Sequence, residues 1–132
     1  MKLIPEITVE VQPDIFVFIW GADRIEMETI ISFDPNTLKM LDIGKPTNIN
    51  YGVSIHLFSN DPPCPNVDKA ELLNTFMMVV MKKMADKKHV VILRPKVIYK
   101  GDESLSNILC GYQRTLLTTA AIAGGARSAK FE

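Results

Sequence analysis

Residues 7–33 read ITVEVQPDIFVFIWGADRIEMETIISF, and this stretch decides the fold class. Ile7 to Val11 alternates apolar and polar residues, and Ile15 to Trp20 is an unbroken β-branched and aromatic run. Alternation turns every second side chain toward a core, and branched chains fit a pleated surface. Gln12-Pro13-Asp14 between the two runs is turn chemistry, which predicts a hairpin. Gly21-Ala22-Asp23 supplies a second turn. Beyond it Ile25, Met27, Thr29, Ile31 and Phe33 recur at period two, which predicts one long third strand with a single buried face.

Working outward, Asp34-Pro35-Asn36-Thr37 is another turn, Leu38 to Ile43 resumes as strand, and Gly44-Lys45-Pro46 stops it. Tyr51 to Phe58 is a further strand. Ser59 to Asn66 holds too much Pro for helix or central strand and reads as an exposed connector. Asp68 and Glu71 stand as a helix start, and Leu72, Phe76, Val79 or Val80, and Lys83 or Met84 continue at helical spacing, predicting a helix from Asp68 to about Lys88. Val90 to Leu93 and Lys96 to Tyr99 flank Arg94-Pro95 and predict a buried strand with Pro near its beginning. A strand that follows a helix favours a parallel neighbour. Gly101-Asp102-Glu103 opens a loop, and Ser104 to Ala123 reads as a helix closed by Gly124-Gly125, with a break near Gly111. Ala126 to Phe131 is a last short strand. The order is β-meander, helix, strand, helix, strand: an α/β fold with a mixed sheet, expected as one domain over residues 1–132.

Composition narrows the function. With 132 residues, 47% hydrophobic and 23% charged, the chain is neither fibrous nor disordered. Charged residues or Pro interrupt every apolar run before the roughly 18 residues that a membrane span needs. Two cysteines, Cys64 and Cys110, make no disulfide framework, and MKLIPEITVEV lacks the apolar core of a secretion signal, so a reducing cytoplasm is expected. Fifteen basic residues balance fifteen acidic ones, which gives no global attraction to nucleic acid. The halves differ, however: residues 1–68 hold four basic and ten acidic residues, and residues 69–132 hold eleven and five. The chain carries a charge dipole.

Catalytic signatures are sparse. His56 and His89 have no second ligand at metal-binding spacing, and the two cysteines are far apart, so neither a cofactor nor a metal is expected. Imidazole at a helix end can satisfy terminal carbonyls, which suits His89, while His56 falls in an apolar strand. Glu10 could converge with Glu71 or Asp102 as the metal-holding acids of a nuclease, although a solvated strand face explains Glu10 equally well. The densest charge is Lys82, Lys83, Lys87, Lys88, Arg94, Lys96 and Lys100, opposed by Asp86 alone. Lysines at a helix end complement its dipole. The same cluster, chiefly Lys82, Lys83, Lys87, Lys88 and Arg94, is also the candidate protein-binding surface. No aromatic residues interleave with it as a platform for single-stranded nucleic acid requires. Met77, Met78, Met81 and Met84 read as distributed all around their helix, which implies core packing or a self-association face.

Two stretches carry a family resemblance. Leu93-Arg94-Pro95-Lys96-Val97-Ile98, followed by Tyr112 to Arg127 with its Ala-Gly-Gly-Ala-Arg close, resembles the bacterial rod-shape-determining actin-like proteins. Ser32 to Gly44 is similar to that family's third strand, its Asp-x-x-Thr-x-Lys turn and the strand ending in Gly. The resemblance implies a ribonuclease-H-like sheet of the actin-like ATPases. Their first strand ends in an Asp-Leu-Gly-Thr loop that holds phosphate and metal, whereas the matching stretch here is Val9-Glu10-Val11-Gln12-Pro13. The glycine is gone and Pro13 has no N–H to offer an anion. The resemblance stops at Phe131-Glu132, ahead of the family's hydrolytic glutamate region, second phosphate loop and adenosine pocket. The expectation is a non-catalytic half-domain that binds protein, itself or a larger filament-forming partner, with a homo-oligomer as one form. A metal-dependent nuclease and a basic-patch nucleic-acid binder are the alternatives.

Overall fold

The computed structural model describes residues 5–37, 39–44, 52–58, 69–88, 94–109 and 111–132. The predicted hairpin forms: β1 (Glu6–Val11) pairs antiparallel with β2 (Ile15–Trp20), Thr8 opposite Ile19 and Val11 opposite Phe16. β3 (Asp23–Glu28) then pairs antiparallel with β2.

The single long third strand does not form. The chain leaves the first sheet at Thr29, and β4 (Ile30–Phe33) becomes the central strand of a second sheet, between β5 (Met40–Ile43) and β6 (Val53–His56), all antiparallel. Thr29 is the anchor. It is buried, its N–H donates to the Asp14 carbonyl at 3.1 Å, and its hydroxyl donates to the Pro13 carbonyl at 2.7 Å. All four β4 residues are buried, whereas β3 alternates half-buried and exposed, so the Ile30-Ile31 doublet marks the passage from a one-faced to a two-faced environment. Ser32 and Ser54 satisfy each other's hydroxyls across β4 and β6 at 2.8 Å.

α1 (Lys69–Lys87) follows, then β7 (Lys96–Lys100), which lies parallel to β1 with Ile7 opposite Val97. Pro95 sits just before β7, where its carbonyl still accepts from the Arg127 N–H. The helix expected over Ser104 to Ala123 arrives in pieces: a 3-10 helix (Asp102–Leu105), α2 (Ser106–Leu109) and α3 (Gln113–Ala123), interrupted at Gly111. β8 (Ser128–Phe131) runs parallel to β7. The strand order β3-β2-β1-β7-β8, a meander continued by parallel strands, is the expected ribonuclease-H-like mixed sheet.

Both long helices lie on one face of that sheet. Phe76 of α1 meets Phe16 edge-on at 5.7 Å and Phe18 at 6.2 Å. The buried Tyr99 hydroxyl donates to the Leu117 carbonyl of α3 at 2.9 Å, and burial pushes its phenol well above its ordinary pKa. Gly124 lets the end of α3 approach α1, since a Cβ there would stand 3.2 Å from backbone atoms of Met77 and Met78. The methionines do not encircle α1. Met77, Met81 and Met84 share one buried stripe and Met78 alone is exposed, which is core packing. The connector at 59–66, the strand read at 90–93, and Cys64, His89 and Cys110 lie outside the described residues.

Candidate functional site

The turn that ends β1 is where a phosphate would sit if this sheet gripped one, and most of its backbone polar groups are already engaged. The Gln12 N–H donates to the Ile15 carbonyl at 3.1 Å, Pro13 has no N–H, and the Pro13 and Asp14 carbonyls both accept from Thr29. The Val11 carbonyl accepts from the Ser104 hydroxyl at 3.0 Å. Gly101, at φ 83°, lies so close that a Cβ would stand 2.9 Å from that same oxygen. An anion needs converging N–H donors. This turn presents a proline and the exposed Asp14 carboxylate instead.

Next to it, Asp102 is buried and takes a 2.9 Å bond from Arg114 Nε. That hydrogen bond, with the attraction between the two charges, raises the Arg114 pKa. The guanidinium also lies 5.0 Å over the Phe131 ring. Sequence spacing gave no sign of this pair, because the Asp102 and Arg114 partners come from two helices that meet only after folding. Gln113, at the start of α3, is nine-tenths buried and its Oε1 is without a hydrogen-bond partner.

The basic cluster divides. Lys87 and Lys88 both reach back to Asp23 on β3, Lys87 at 3.5 Å, and the Lys88 ammonium also lies 5.2 Å from the Trp20 ring centre. Hydrogen bonding from Lys88 foremost, opposed next by desolvation and then reinforced by the charges of Lys88 and Lys87, holds the Asp23 carboxyl below its ordinary pKa. These two lysines clamp the end of α1 to the β2–β3 turn. Lys82, Lys83 and Arg94 project as exposed cations.

The candidate acids do not converge. Val9 and Val11 point into the core, so Glu10 lies on the opposite face of the sheet from α1 and Glu71, while Asp102 is bound to Arg114. Among the described residues, no three His, Cys, Asp or Glu side chains come together as a metal site, and no helix is long and apolar enough to cross a membrane.

One surface escaped the sequence reading. Since Phe16, Phe18, Val97 and Tyr99 face the helices, alternation sends Ile15, Val17 and Ile19 of β2, Thr8 of β1 and Ile98 of β7 to the other face. None of these five is part of the cluster under α1 and α3, although Val17 is itself buried. Ile15, Ile19 and Ile98 remain half-buried there among Arg24, Glu26, Glu28, Glu10, Lys96, Lys100 and Lys130. Only a two-faced accounting of the assembled sheet reveals it.

No family model matches the chain, and no curated protein matches it. Solved structures do. MreB5 of Spiroplasma citri bound to ADP superposes with a TM-score of 0.67 at 11% identity, covering 98% of this chain and 38% of that one. The same protein bound to AMPPNP gives 0.61 at 11% identity, covering 100% and 39%. A non-polymerising mutant of MamK bound to AMPPNP gives 0.62 at 9% identity, covering 99% and 41%. The fold is that of the bacterial actin-like proteins, and this chain spans about two fifths of the length of those structures.

Proposed function

We propose that this chain is a cytoplasmic actin-like half-domain that works by binding protein, a second copy of itself or a filament-forming actin-like partner, and that it does not hydrolyse nucleotide. The observation that carries this reading is the closed turn after β1. The Gln12 N–H is spent and Pro13 has none, the carbonyls of Val11, Pro13 and Asp14 are held by Ser104 and Thr29, and the exposed Asp14 adds negative charge where a phosphate would come. The matched structures were bound to ADP or AMPPNP, which makes the turn the decisive difference to test. Lys82, Lys83 and Arg94 supply the charged rim for an acidic partner surface, while Lys87 and Lys88 keep the helix end seated. The half-buried Ile15, Ile19 and Ile98, on the sheet face that no described helix covers, favour a protein partner over a nucleic acid, because such residues gain from burial and add nothing to phosphate binding.

Two measurements test the reading. Calorimetric titration with ATP and magnesium is expected to give no saturable heat. Co-sedimentation with a polymerised bacterial actin-like protein, or self-association of the chain alone, is expected to show the protein contact. A chain that remains monomeric and ignores such filaments fails the reading.

A further inference from the structure

We draw no further inference here: the strongest candidate, the face of the five-stranded sheet turned away from α1 and α3, where Ile15, Ile19 and Ile98 are half-buried, carries nothing because nothing in the structure shows what covers it.

Discussion

The turn at the end of β1 and the uncovered face of the same sheet are a few residues apart in sequence and opposite in character. At the turn, backbone carbonyls are matched by Thr29 and Ser104, and the space beside Val11 admits only a glycine. On the face, isoleucines remain half-exposed among alternating charges. The first region has spent its bonding capacity on holding itself together. The second leaves apolar side chains half-exposed. Under the proposed function, recognition lies at surfaces of this kind and not at the turn.

Substitutions can break this contrast or sharpen it. The largest effect is expected from Gly101→Ala, which must place a side chain at φ 83° and 2.9 Å from the Val11 oxygen; denaturant unfolding should show a loss of about 2–4 kcal/mol. A loss under about 0.5 kcal/mol would mean that the turn is not tightly closed. Thr29→Val keeps the shape but removes the hydroxyl that reaches Pro13, and the same assay should report about 1–2 kcal/mol. Ile98→Thr on the open face should alter monomer stability by less than about 1 kcal/mol, since that side chain lies outside the core under the helices. A larger cost would show that the face is part of the core and not a free surface.

The smallest effect concerns pH. Lys88 and Lys87 hold the folded Asp23 carboxyl below its ordinary 3.8, so the unfolded chain takes up its proton first as the solution is acidified. The stability this group contributes is present above about 3.8 and is lost as pH falls through the lower folded value. Asp23→Asn should therefore flatten the stability profile on the acid side and leave its slope near neutrality unchanged. Urea titrations at several pH values check this.

Much of the sheet was legible in the sequence because period-two alternation over 7–11 and 15–20 reports one-sided burial directly. The helix-then-strand order at 69–100 likewise announced a parallel neighbour for β1. The division of residues 23–33 between two sheets was not legible. Period-two alternation carries through Thr29 from Ile25 to Phe33, and the bonds from Thr29 to Pro13 and Asp14, with the full burial of β4, show that the chain changes sheets there. The closed turn was readable in part, since Pro13 announces a missing donor, whereas the contributions of Gly101 and Ser104 come from about ninety residues away. The basic cluster was legible only in part, for a related reason. Lys87 and Lys88 look like a free patch until Asp23 and Trp20 are folded against them. The open face could not be read from any one strand, because half-buried isoleucines identify a surface only after the other face is known to be full.

The central claim is that the β1–β2 turn cannot grip a triphosphate, and isothermal titration of the purified chain with ATP in the presence and absence of magnesium tests it most directly. The account predicts no saturable binding in either condition. Tight capture of ATP that depends on magnesium and is lost on changing Gln12 or Asp14 would contradict it.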